Sequence, residues 1–347
     1  MTPMAAPDPH GLGGLPGGAT PNPGQGAPST SLPPPNGCKD FDPAVIATCL
    51  DTVAAIAVLP DGQSALAAER RTGRVLRVQK GSDPTPLTTL PVDPAGDGGL
   101  TGVALSPSYA EDELFFAYIT TPIDNRVVRI ARGDVPKPVL TGIPRGATGN
   151  KGALALDRTG ALLVATGDAG DPAAAQNPDS LAGKVLRIDT AGKPAGGNPT
   201  PNPAVVASGL HSPGGLCSAP TGDATWVTDR TASQDVLYRL RPGQPFDTPA
   251  WTWPDRPGVA GCAAWPDAVV VATAQGAALD VLGINQDGSF QKPTSILANR
   301  YGRFGGIDLS TQGLAWVGTV NKDGGQPISS DDRVLVIPHP NGGGGND

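Results

Sequence analysis

Gly152-Ala153-Leu154-Ala155-Leu156, Asp157-Arg158-Thr159-Gly160, Ala161-Leu162-Leu163-Val164-Ala165-Thr166: within these residues the chain writes an alternating strand, a polar turn and a second strand that is apolar almost throughout. The opening phrase returns along the sequence as Ala55-Ile56-Ala57-Val58, Gly102-Val103-Ala104-Leu105, Gly215-Leu216-Cys217, Gly261-Cys262-Ala263 and Gly306-Ile307-Asp308. Counted from first residue to first residue, the six copies are spaced 47, 50, 63, 46 and 45 apart. A period in the forties with several short strands per unit is the signature of a β-propeller. One such unit cannot bury both faces of its sheet, so six must stack around an axis. The sequence therefore predicts an all-β, six-bladed propeller of four-stranded antiparallel blades, with a pocket at the axial mouth.

Outward from the repeat, composition agrees. The 347 residues include 48 Gly and 39 Pro, which suits many tight turns and argues against long helices. A formal net charge of −7, with no cluster of Lys and Arg in the sequence, argues against a nucleic-acid partner. No run approaches the roughly 18–20 apolar residues of a membrane span. The opening residues have neither a basic nor an apolar signal-peptide region. Residues 1–37 hold ten Pro and eight Gly with few large apolar side chains and are expected to form a disordered stalk. Residues 38–340 are expected to be the propeller, and 341–347 a flexible tail.

Arg-bearing strands such as Arg74-Val75-Leu76-Arg77-Val78, Arg126–Ile130, Lys184–Ile188, Val236–Leu240 and Arg333–Ile337 read as the outer strands of blades, with one wet face. The long 63-residue step carries an insertion at about residues 167–181, where a loop decorating the mouth is expected. Cys38 and Cys49 flank one short segment, and Cys217 and Cys262 occupy equivalent strand positions in consecutive repeats. Neighbouring blades bring such positions together, so the pairs predict two disulfides and an oxidising compartment; four free buried thiols are the alternative. Closing loops of ~12 and ~46 residues would stabilise by roughly 3 and 4 kcal/mol.

The sharpest local string is Thr166-Gly167-Asp168-Ala169-Gly170-Asp171-Pro172. Asp168 and Asp171 in a Gly-rich loop are candidate Ca²⁺ ligands, although the spacing is not that of an EF-hand, and turn capping is the competing reading. Trp251, Trp253 and Trp265 would either stack on a sugar or fill the gap between blades. Gly-x-Ser-x-Gly, Walker, Cys-x-x-Cys and His-Glu-x-x-His patterns are absent from the sequence.

Residues 97–105, Asn125-Arg126-Val127-Val128-Arg129, Gly142-Ile143-Pro144, the Thr-Gly-Asp loop, Ala182–Ile188 and Trp253-Pro254 together resemble the soluble glucose/sorbosone dehydrogenase family. The resemblance runs from about Val53 to Pro338 and is most specific over 97–188. It implies a six-bladed propeller whose active members use pyrroloquinoline quinone (PQQ) and Ca²⁺. Other strings, at 91–100, 251–255, 257–264 and 319–322, resemble mycobacterial envelope lipoproteins of this propeller type. Active family members place a general-base His just before the Gly-Gly-x-Leu strand; here that place reads Gly149-Asn150-Lys151-Gly152. A family Gly-Leu-Arg-Asn-Pro reads Gly209-Leu210-His211-Ser212-Pro213, and a family Gln is matched by Gly96 or Asp97. A neutral His cannot offer the bidentate fork of Arg, and Asp would repel an anionic cofactor. Asn takes no proton, and Lys151 would act as a base only if its pKa fell by several units.

The expectation is a non-catalytic propeller, exported and lipid-anchored on the outer face of the plasma membrane through an anchor not present in this chain. It would take a small polar ligand, a glycan or an envelope protein at Asp97, Asn150, Lys151, Asp168, His211 and Ser212. No cofactor is expected, PQQ and Ca²⁺ entering by resemblance only. The alternative is a PQQ- and Ca²⁺-dependent aldose or sorbosone dehydrogenase with Lys151 or His211 as base.

Overall fold

The structure, a computed structural model, describes residues 32–199, 204–219 and 224–340. Most of the expected stalk (1–31) and the expected tail (341–347) lie outside the described residues. The compact unit begins at Pro34.

Six four-stranded antiparallel sheets make up the unit. Blade one holds β2 (Val53–Val58), β3 (Ser64–Glu69), β4 (Arg74–Gln79) and β5 (Thr85–Thr89). Blade two holds β6 (Leu100–Leu105), β7 (Phe115–Thr120), β8 (Asn125–Ile130) and β9 (Lys137–Ile143). Blade three holds β10 (Gly152–Leu156), β11 (Leu162–Thr166), β12 (Lys184–Ile188) and β13 (Val205–Ser208). Blade four holds β14 (Pro213–Ser218), β15 (Thr225–Arg230), β16 (Asp235–Arg239) and β17 (Trp251–Trp253). Blade five holds β18 (Val259–Ala264), β19 (Ala268–Thr273), β20 (Ala278–Gly283) and β21 (Thr294–Ile296). Blade six takes β22 (Phe304–Leu309), β23 (Ala315–Thr319) and β24 (Val334–Ile337) from the end of the chain and β1 (Val45–Ala47) from its beginning. The pairing of Val45 with Leu335 closes the ring.

The six repeated phrases are the six innermost strands. The Arg-bearing strands expected at the outside are third strands instead, each with a fourth beyond it. The fourth strands escape the pattern because they are short or interrupted by Pro, as in Thr-Pro-Leu-Thr-Thr (β5) and Lys-Pro-Val-Leu-Thr-Gly-Ile (β9). Proline is tolerated there because an edge strand leaves N–H positions unpaired.

The core lies between blades. Leu66 and Ala68 of β3 pack toward blade two, while Ala65 and Ala67 pack toward blade six. Alternate residues thus enter different layers, and β3 is buried along its whole length. Where the inner strands of neighbouring blades meet, glycines stand because there is no room for a Cβ. A Cβ on Gly261 would sit 2.6 Å from the Ile307 amide nitrogen, and one on Gly306 2.5 Å from the Ala55 Cα. Trp253 and Trp265 fill gaps between blades, their indole N–H groups donating to Asp280 and to the Gly313 carbonyl. Both expected disulfides are present, Cys38–Cys49 and Cys217–Cys262, with Cα separations of 5.3 and 5.7 Å.

Candidate functional site

The two ends of the axis differ. The end reached by the C-termini of the inner strands is largely apolar, lined by residues such as Val58, Leu105, Leu156 and Leu216. The other end opens as a funnel of about 600 Å³, including the solvent within it, and is strongly polar. Six blades place Ala54, Thr101, Lys151, Gly214, Ala260 and Gly305 around this mouth at the position preceding each repeated phrase. Five are small and one is a lysine.

A second tier comes from the residue that follows the second strand of a blade. Arg70 follows β3, Ala274 follows β19, Val320 follows β23, and Arg230 ends β15. Arg303, just before β22, and Asp323 complete the polar lining. Arg70 is saturated: its guanidinium pairs with Asp323 at 2.8 Å and donates to the carbonyls of Pro94 and Gly98. It therefore holds the loop that carries Asp97. Arg230 donates only to neutral oxygens, those of Val259, Gly258 and Gln275, and Arg303 donates to the Gly324 carbonyl. The Arg303 Nε is buried without a hydrogen-bond partner among the described residues. Burial, joined by Arg303, draws the Arg230 guanidinium below its ordinary value. The Lys151 ammonium makes no hydrogen bond or ion pair with any described residue, while its backbone carbonyl accepts the Gly167 amide at 2.9 Å. Repulsion from Arg230, together with desolvation and Arg70, brings its pKa down to about 7, against the pull of Asp97 and Asp323.

The other five sequence-predicted residues form a hydrogen-bonded rim beside the mouth. The Asp97 carboxylate accepts from the Gly149 and Asn150 amides at 3.0 and 3.1 Å and from the Ser212 hydroxyl at 3.4 Å. It is tied to the 149–150 loop and is not among the residues lining the funnel. The His211 ring lies 3.3 Å from Asp229, whose buried carboxylate also accepts the His211 and Ser212 amides. The hydrogen bond to Asp229 raises the His211 pKa, and the Asp168 charge adds to it. Asp168 is itself raised by burial. The Asp168 amide donates to the His211 carbonyl at 2.8 Å, which pins the insertion to blade four.

Within the insertion, Asp168 accepts the Gly170 amide and Asp171 caps the short helix Pro172–Gln176 by accepting the Ala173 amide. Among the described residues no group of three or more His, Cys, Asp or Glu gathers to hold a metal. The donor set at Asp168 and Asp171 thus acts as turn and helix caps. Arg70, Arg230 and Arg303 escape sequence reading because each lies in a different repeat. The available signal is the strand-end position that Arg70, Arg230, Ala274 and Val320 share.

A model of the glucose/sorbosone dehydrogenase family matches residues 50–256. The chain belongs to this family. Among solved structures it is similar to the PQQ-bound aldose sugar dehydrogenase of Streptomyces coelicolor, at 31% identity and a TM-score of 0.78, covering 84% of this chain and 95% of that one. It is also similar to a putative glucose dehydrogenase of Thermus thermophilus, at 29% identity and a TM-score of 0.79, covering 84% and 98%. The Escherichia coli K12 aldose sugar dehydrogenase YliI is 28% identical over 229 residues, which span 59% of this chain and 60% of the curated relative's length. Within this family, the chain keeps the propeller and has Gly149-Asn150-Lys151-Gly152 ahead of β10.

Proposed function

We propose that this protein binds a small polyanionic ligand in the axial mouth of a dehydrogenase-type propeller and does not itself oxidise sugars. The observation that carries the reading is the set Lys151, Arg230 and Arg303: three cations lining one funnel, with no carboxylate ion pair among the described residues, in a chain of net charge −7. Three partly desolvated like charges repel, and an anion relieves that repulsion. The set suits the carboxylates of PQQ, the group named in the Streptomyces structure. Lys151, Arg230 and Arg303 would be the residues that hold it. When bound, it would supply a two-electron acceptor. At the place of the family's base stands Gly149-Asn150-Lys151, and the imidazole of His211 is engaged with Asp229.

One observation favours a second reading, an altered aldose or sorbosone dehydrogenase: with a pKa of about 7, Lys151 meets the requirement for a general base. The two disulfides further support a place outside the cytoplasm. There the domain would sit on its stalk as a lipid-anchored envelope protein that presents the mouth to an anionic metabolite, a glycan or an envelope partner.

The experiment is calorimetric titration with PQQ and Ca²⁺, followed by a dye-reduction assay with a panel of aldoses. Saturable binding abolished by Arg230→Met with no dye reduction is expected. Dye reduction by the loaded protein would install the dehydrogenase reading, and absence of any anion binding would remove the ligand reading.

A further inference from the structure

Lys151 and Lys184 stand at the two ends of what a lysine can do in a folded protein. Lys184 is fully buried and its ammonium donates to the carbonyls of Ala174, Ala175 and Ala182 at 3.1, 2.7 and 2.8 Å. Lys151 lines an open funnel, its ammonium has no hydrogen-bond partner among the described residues, and it occupies a ring position that the other five blades fill with Ala, Thr or Gly. A structural lysine does not look like this. A buried or half-buried ammonium without acceptors is unfavourable, and the side chain stays where it is only at the expense of stability. Groups held in such a state cluster at functional sites.

We propose that Lys151 is an imine-forming amine that captures a small carbonyl compound bearing a carboxylate, of the α-keto acid class, in the axial mouth. The inference rests on the anion-binding reading above. Arg230 and Arg303, which line the funnel with Lys151, would receive the carboxylate. The groups facing Lys151 are Arg230 at the end of β15, Arg70 after β3, and Asp97 and Asp323 from loops. A cation beside an amine is the recognised way to keep a lysine neutral and nucleophilic at ordinary pH. At pH 7 a lysine with a pKa of about 7 is neutral on the order of a thousand times more often than one with the reference value.

The chemistry balances without an oxidant. The neutral Nζ of Lys151 attacks the carbonyl carbon, a C–N bond forms, and the former carbonyl oxygen takes up a proton from solvent. The nitrogen, which carries an extra proton after the attack, gives one to that oxygen; the oxygen leaves as water, and the nitrogen lone pair closes the C=N bond of a protonated imine. Overall, amine, carbonyl compound and one proton give iminium and water.

Pyruvate with sodium cyanoborohydride at pH 7.5 is the probe, read by intact mass and peptide mapping. Oxamate titrated by calorimetry is its companion, since it offers the same carboxylate and no ketone. One reduced adduct per chain at Lys151 is expected. It should be absent in Lys151→Arg, whose guanidinium forms no imine under these conditions. Arg230→Met should lower the adduct yield at fixed pyruvate by about tenfold, as expected for loss of one charge-assisted contact. Oxamate binding without an adduct, or adducts spread over exposed lysines such as Lys80 and Lys137, would overturn the imine and leave the anion site standing. Absence of oxamate binding together with absence of an adduct would overturn both.

Discussion

At the scale of single residues, the ammonium of Lys184 and the imidazole of His211 each carry a testable consequence. Lys184→Met would strand three carbonyl acceptors beneath the insertion, around the short helix Pro172–Gln176. We expect a loss of about 2–4 kcal/mol in urea unfolding, larger than for the same change at exposed Lys80. His211 has its pKa raised above 6.5 by the hydrogen bond to Asp229. A raised histidine pKa stabilises the fold below the unfolded value and ceases to do so as pH rises through the folded value. Wild-type protein should therefore exceed His211→Asn in melting temperature most at pH 6, with the gap narrowing above pH 7; a gap independent of pH would refute the pairing. These residues also show what was legible. Asp97, Asn150, Asp168, His211 and Ser212 stood out because they replace or flank recognisable strings, and they do converge on one rim. Arg230 and Arg303 did not stand out, because an arginine at the end of an apolar strand looks like any other edge charge until the ring aligns six strand ends.

At the scale of elements, the inner strands were the readable part because glycine and alternation coincide in them. The physical reason is crowding at the axis, where strands from neighbouring blades nearly touch. Gly261→Val would drive a branched side chain into the backbone at Gly305, Gly306 and Ile307. It should cost upwards of about 3 kcal/mol or prevent folding, whereas Gly288→Ala, in an open turn at φ +80°, should cost only about 1 kcal/mol. Equal effects in thermal unfolding would contradict the crowding argument. Fourth strands such as β5 and β21 were not readable, because strands at the rim need neither two buried faces nor an unbroken row of donors. Their register is set by the third strand they lean on, an instruction absent from their own residues.

At the scale of the whole molecule, stability depends on closing a ring. The Cys217–Cys262 bridge ties blade four to blade five, and Cys38–Cys49 sits just before and after β1. Cys217→Ser with Cys262→Ser should lower stability by about 2–4 kcal/mol. Mild reduction of the wild-type protein should lower its melting temperature to a similar extent, and an unchanged melting temperature after verified reduction would refute this.

The pairing of Val45 with Leu335 also sets an order of events in time. A chain made at about 5–20 residues per second leaves its first strand without its partner for tens of seconds. Throughout that interval blade six has no fourth strand and blade one has an uncovered face, so the nascent chain holds an adhesive edge and its intended cover apart. Folding is thereby deferred to the end of synthesis. Were the chain exported, as proposed above, such a delay would keep it loose for the time that passage through a membrane takes.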